Sequence, residues 1–314
     1  MEKFNGWEKW KPAVLAVVVA GLVIGTGRVG HAGLIVSGIP DASHATLKLW
    51  MSADVGVFSD AGTTPAVDGG DVVQWNNRST AAGAGSNATA VGTPTFHTTG
   101  GIGGKPVVRF NGTDEYFNET VSIGGPKTFF LVLDAAASGT CCSGGIGTRT
   151  SGSTNYNGLE VILDGSDTKF FADFPTAGLG GATVITNTPT IGVLTYDTTG
   201  TTIYINGLNV DASNASDWTR GGTTYQIATR NNEFSRFLDG DIAELLVYDE
   251  VLSTDDINAV GFYLEDKYGI ASTFTNPNPI PEPSTLALAG IALAGLGLFT
   301  WASGGMKVTG NWHL

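Results

Sequence analysis

The sequence predicts an all-β fold: a two-sheet antiparallel jelly-roll sandwich with one packed C-terminal helix, flanked by an N-terminal signal helix and a C-terminal apolar helix. Three observations carry this. Turn-forming residues are abundant, with Gly 45 and Pro 12 in 314 residues. Between residues 42 and 272, short apolar or alternating runs rich in Val, Ile, Phe, Tyr and Thr are separated by turn residues, with no strand–helix alternation. An uncharged apolar run stands near each end of the chain.

At the N-terminus, Lys3, Lys9 and Lys11 precede an apolar run over 13–24, and small residues lead to Gly30-His31-Ala32. That order of basic, apolar and small residues is the layout of a secretory signal peptide, with cleavage expected after Ala32. Residues 1–32 read as this signal and 33–41 as a linker. Gly25, Gly27 and Gly30 match the G-x-G-x-x-G spacing of a dinucleotide loop, but Pro40 and a non-helical stretch follow where that motif needs a helix.

The domain proper is expected over 42–272. Strands are predicted at 47–50, 72–75, 106–110, 128–133, 159–163, 169–174, 190–196, 201–205, 208–211, 225–229 and 241–248. Asn206-Gly207 joins two of these runs and suits a type I′ hairpin, which needs positive φ at both central residues. One helix is signalled: Ser253 as N-cap with Asp256 three residues on, then Ile257, Val260, Gly261, Leu264 and Tyr268 on one face, and Gly269 to end it. Residues 273–283 form a Pro/Asn linker that admits neither helix nor central strand. Residues 284–306 are expected to form an apolar sorting or transmembrane helix, and 307–314 a short tail.

Composition excludes several function classes. A net charge of −13 with 16 Lys and Arg and no basic run repels nucleic acid. Cys141 and Cys142 are adjacent and His31, His44, His97 and His313 are scattered, so no zinc-type ligand set exists. No G-x-S-x-G elbow and no phosphate loop occur.

Two resemblances add to this reading. The segments LKLWMSADVGV, VVQWNNRS, KPVVRFNGTDEYF, TFFLVLD, TYDTTGTTIYINGLNV and DGDIAELLVYDEVLSTDDINAVGFYLEDKYG resemble the LamG-like jelly-roll, or concanavalin A-like lectin/glucanase, superfamily. This implies two packed antiparallel sheets and a fold that hosts lectins, glycosidases, adhesion modules and spacers. Pro281-Glu282-Pro283, with PSTLALAG overlapping it and an apolar run behind, resembles a PEP-CTERM sorting signal. That implies recognition and processing by an exosortase, export to the cell envelope or an exopolysaccharide matrix, and passage through the membrane by the C-terminal helix. The chain departs from the pattern in that Lys307 is the one Lys or Arg after the run.

Glycosidases of the superfamily align three carboxylates on one strand face, so that acid and nucleophile enter the same cleft. Glu160 and Asp164 have no third partner, and the odd spacing of Asp241 and Glu244 sends them to opposite faces. No catalytic residue is therefore expected. Calcium is the candidate cofactor, with Asp164, Asp167 and Asp114 as oxygen donors in loop-like Asx/Gly clusters that also read as ordinary turns. For a saccharide, Trp218, Tyr116 and Phe117 are the candidate aromatic contacts in polar loops, while Trp50 and Trp75 read as core. The expectation is an exported bacterial surface or matrix protein that binds glycan or protein without catalysis. The alternatives are a polysaccharide-degrading glycoside hydrolase of the same fold and a spacer without ligand.

Overall fold

The structure is a computed structural model that describes residues 33–276, apart from 124, 137–142, 150–155, 165–166, 174–177, 185–186, 214–223 and 230–235. In chain order its strands are β1 (Ile35–Val36), β2 (Ile39–Pro40), β3 (Leu47–Ser52), β4 (Val57–Phe58), β5 (Gln74–Trp75), β6 (Ala88–Val91), β7 (Thr95–His97), β8 (Val107–Asn111), β9 (Tyr116–Thr120) and β10 (Lys127–Ala135). There follow β11 (Ser143–Arg149), β12 (Tyr156–Asp164), β13 (Asp167–Asp173), β14 (Gly178–Val184), β15 (Thr190–Tyr196), β16 (Thr201–Ile205), β17 (Leu208–Ser213), β18 (Thr224–Ile227), β19 (Asp239–Tyr248) and the helix α1 (Thr254–Tyr268).

The strands form two large antiparallel sheets. One runs β17-β16-β15-β10-β19-β8-β7, with β3 also on β19; the other runs β14-β13-β12-β11-β18-β9-β6-β5-β4. Between them lies a core to which alternate residues of each strand contribute. From the eight-stranded sheet come Phe129, Leu131 and Leu133 of β10 with Ile242, Leu245 and Val247 of β19; from the nine-stranded sheet come Trp75, Phe117, Tyr225 and Ile227.

The residues between these on β10 and β19 turn the other way. Phe130, Val132, Leu246 and Tyr248 pack under α1 with Ile257, Val260, Leu264 and Tyr268. Strand β10 is thus buried on both faces, which explains its near-continuous apolar run. Leu34 and Phe274 join the same helix-side cluster. Phe274 fills a notch at Gly261, where a Cβ would stand 2.3 Å from its ring. Thr273 N donates to Asn206 O at 2.9 Å and Thr275 N to Asn258 Oδ1 at 3.2 Å, so the chain stays strapped to the domain past residue 272.

The sandwich, the I′ hairpin and the packed helix stand as the sequence predicts. Asn206 and Gly207 have φ of 48° and 83°, Ser253 Oγ accepts from Asp256 N, and Gly269 closes α1 in the left-handed region.

The two terminal helices are a correction. Among the described residues α1 is the one α-helix, and no helix is long and apolar enough to cross a membrane. The expected signal helix and the expected transmembrane helix at 284–306 lie outside the described residues. Length and composition supply the reason. The apolar run at 13–24 would rise only about 18 Å as helix, short of the ~30 Å hydrocarbon layer, and the stretch at 284–306 opens on Ser284 and Thr285 and closes on Ser303, Gly304 and Gly305. The second also carries Gly290, Gly295 and Gly297.

A bulge supplies a second correction. Val132 pairs with Glu244 but Leu133 with Ile242, so Ala243 is an extra residue in β19. It falls where the edge of β19 passes from β8 to β3. The insertion resets the alternation, and Asp241 and Glu244 share the helix-side face instead of opposing each other.

Candidate functional site

The face of the nine-stranded sheet turned away from the core carries a polar row. Ladder register aligns Gln74, Thr89, Asn118, Gln226, Gly147 and Gly158 across six adjacent strands. At the usual strand spacing this row is roughly 24 Å long. Their neighbours in sequence explain the placement: Trp75, Ala88, Phe117, Tyr225 and Ile227 are drawn into the core, and strict alternation leaves the amides outside.

Gln226 is 9% exposed. Its Nε2 donates to Asn118 Oδ1 at 3.3 Å, while its Oε1 is buried without a partner. Such an acceptor is costly to leave unmet. Two residues from Asn118 along β9, Tyr116 packs its ring against Phe237 with centroids 6.0 Å apart. Gln74 Nε2 is held by Asn76 Oδ1 at 2.6 Å, and Thr89 is exposed. Gly147, which continues the row on β11, is buried. The arrangement offers amide acceptors and donors in one line, with an aromatic pair beside them.

The sequence-derived site residues fall in different places. Tyr116 lies beside this row, 7% exposed. Phe117 is fully buried in the core, edge-on to Trp75 and Phe110, and has no exposed face to offer. Both belong to a strand, not a loop. Trp218, Ala32 and the Pro281-Glu282-Pro283 motif lie outside the described residues.

Asp114 is exposed in an Asx turn, its Oδ1 accepting from Asn111 Nδ2 at 2.9 Å. Asp164 and Asp167 are the closing pair of the β12–β13 hairpin. They stand at the same end of the sheet as Asp114, but β12 and β13 lie three and four strand spacings from β9, roughly 14 and 19 Å. Among the described residues no three His, Cys, Asp or Glu side chains gather as metal ligands.

Two carboxylate systems centre on Glu244 and Asp241, whose partners the spacing alone did not give. Glu244 is fully buried and receives Trp50 Nε1 at 2.6 Å, Tyr263 OH at 2.9 Å, Tyr268 OH at 2.7 Å and Lys267 Nζ at 2.8 Å. Every lone pair is engaged, which makes it a clamp between β19 and α1 rather than a reactive acid. Burial and the Glu244 charge push both phenols up. The signal was there in the spacing of Tyr263, Lys267 and Tyr268 on the helix.

Asp241 forms a bidentate pair with Arg109, at 2.7 and 2.8 Å, and sits directly across from Asp134 on β10. Burial, and then the Asp241 charge, raise Asp134, while Arg109 opposes them. With both oxygens of Asp241 held by a guanidinium, this pair lacks a free nucleophile.

Sequence comparison adds two matches. Residues 131–258 match the model of the concanavalin A-like lectin/glucanases superfamily, and residues 279–301 match the PEP-CTERM protein-sorting motif. The chain carries a LamG-like domain and a PEP-CTERM motif; the motif marks it for export to the cell envelope and implies an exosortase-type sorting partner. No curated protein matches in sequence.

Among solved structures, it is similar to domain 4 of AbnA, a GH43 extracellular arabinanase from Geobacillus stearothermophilus in complex with arabinotriose. The identity is 16%, with 69% of this chain and 98% of that one covered and a TM-score of 0.45. A Trypanosoma rangeli sialidase shares 12% identity over 73% of this chain, with a TM-score of 0.49; the chain spans about a third of its length, 34%.

Proposed function

We propose that this exported protein binds a neutral polysaccharide of the envelope or its exopolysaccharide matrix along the outer face of the nine-stranded sheet, and does not cleave it. The observation that supports this is the buried, unpartnered Oε1 of Gln226 beside Asn118 and Tyr116. Rotation of the Gln226 side chain toward the surface lets a sugar hydroxyl supply the missing donor, and the amide row continues that pattern along a chain lying across the strands. The net charge of −13 favours a neutral glycan over an acidic one. Under this reading cleavage after Ala32 begins the mature chain at Gly33, one residue before Leu34 enters the helix-side cluster, and Trp218 and Tyr116 belong to the binding surface.

The test is affinity electrophoresis and calorimetry of the full chain against soluble neutral polysaccharides such as dextran, laminarin and arabinan. Asn118→Ala with Gln226→Ala is expected to weaken binding at least tenfold without lowering the melting temperature. Unchanged affinity in that double variant overturns the reading.

Hydrolysis is the second reading: Asp134, raised by burial, stands across from Asp241, and cleavage there requires Arg109 to release an Asp241 oxygen. It predicts reducing ends released from the same polysaccharides and lost in Asp134→Asn. The binding reading predicts none released.

A further inference from the structure

On the other side of the molecule, α1 stops short of covering the eight-stranded sheet and leaves a cleft of about 560 Å³. Its floor is the helix-side face of β15, β16 and β17, where register places Thr195, Thr202 and Ala212 in a row, with Tyr204 beside them. Its wall is Val251, Leu252, Ser253, Thr254 and Ile257, and its rim is the turn from Asp197 to Gly200.

The hydroxyls of Thr195, Thr202, Tyr204 and Thr254 line this space and make no hydrogen bond to the described protein. The Asp197 carboxylate is fixed by its own turn: Oδ1 accepts from Thr199 N and Thr199 Oγ1, both at 2.6 Å, and from Gly200 N at 2.8 Å. These bonds from Thr199 hold its pKa below the usual carboxylate range. Its Oδ2 is left as an acceptor. Val251 is exposed and, with the half-buried Tyr204 ring, adds an apolar patch.

We propose that this cleft is a second saccharide site, which takes one or two neutral sugar units, such as a chain end. Its size suits a small ligand. Four hydroxyls that both donate and accept, one rigid carboxylate oxygen and an apolar patch match the alternating O–H and C–H surfaces of a pyranose. Asp197, with Asp255 and Asp256 in the first turn of α1, excludes a phosphate or carboxylate ligand from the helix N-terminus.

The site stands on its own residues and does not rest on the reading of the nine-stranded face. If both hold, the two lie on opposite sides of the sandwich, at least one sheet-to-sheet distance of about 10 Å apart. A single sugar chain then does not fill both, and the protein joins two chains with the avidity of a bivalent linker.

The experiment is amide chemical-shift mapping of the full chain with glucose, galactose, mannose, xylose and their disaccharides. At least one probe is expected to shift Thr195, Thr202, Tyr204 and Thr254. Thr195→Val with Thr202→Val, which keeps side-chain shape, is expected to weaken that probe at least tenfold, and Tyr204→Phe severalfold, each with a native melt. Asn118→Ala with Gln226→Ala leaves these shifts in place. Absence of cleft shifts with every probe, or unchanged affinity in the natively melting double-valine variant, overturns the proposal. If instead the cleft variants lose binding while the amide variants lose none, it is the nine-stranded face that fails.

Discussion

At Asn77 a side-chain amide does what a carboxylate cannot. Its Oδ1 accepts from Trp50 N and Ser79 N, and its Nδ2 donates to the carbonyls of Lys48 and Gly85, at 2.8 to 3.0 Å. An aspartate keeps the two acceptor contacts and turns both donor contacts into repulsions. Asn77→Asp is expected to cost about 2–4 kcal/mol, from two carbonyls left facing an acceptor, read as a lower urea midpoint with unchanged slope. Trp50 and Trp75 were legible as core because they sit in apolar runs. Phe117 was not, because its neighbours Asn118 and Thr120 are the outward members of a strand and look like loop when the pairing partners are unknown. Gln226 carried no local signal, since its role comes from a missing partner that only the folded sheet makes evident.

Among the elements, α1 was the most legible, since its cap, apolar face and terminal glycine are all local chemistry. The hairpin at Asn206-Gly207 was readable for the same reason. Strands β11 and β14 escaped notice because SGGIGTR and GLGGATV lack the β-branched pattern and owe their structure to neighbours. The bulge at Ala243 was invisible too, because register is a property of two strands together. The strap beyond α1 was missed as well, the linker having been expected from residue 273. Phe274→Ala is expected to lower stability by about 3 kcal/mol, as for a buried aromatic removed from a fitted notch, and to do so by thermal melt without altering glycan affinity. An unchanged melting temperature would show that the strap is not part of the cooperative unit.

For the whole molecule, two buried ionisable groups shape the dependence of stability on pH. Burial pushes Glu119 up from 4.5 to about 8, with Ser86 and Thr120 opposing it. Burial also draws Lys127 down from 10.5 to about 8, against the pull of Asp249. Between pH 4.5 and 8 the folded chain holds a proton on Glu119 that the unfolded chain has released, so stability falls as pH rises, by up to about 1.4 kcal/mol per unit. Between 8 and 10.5 the unfolded chain holds the extra proton on Lys127, and stability recovers. Urea titrations are expected to show a minimum near pH 8, with Glu119→Gln flattening the lower limb and Lys127→Met the upper one. A curve that rises steadily from pH 5 to 8 would contradict this.

The helix-side cluster that takes in Leu34 and Phe274 also fixes how the domain hangs. Both ends of the described chain leave from the back of the sandwich, and the sorting motif begins at residue 279, only a few positions beyond Phe274. Any attachment made through that tail pulls on the back of the plate. The amide row then looks outward, away from whatever surface holds the molecule.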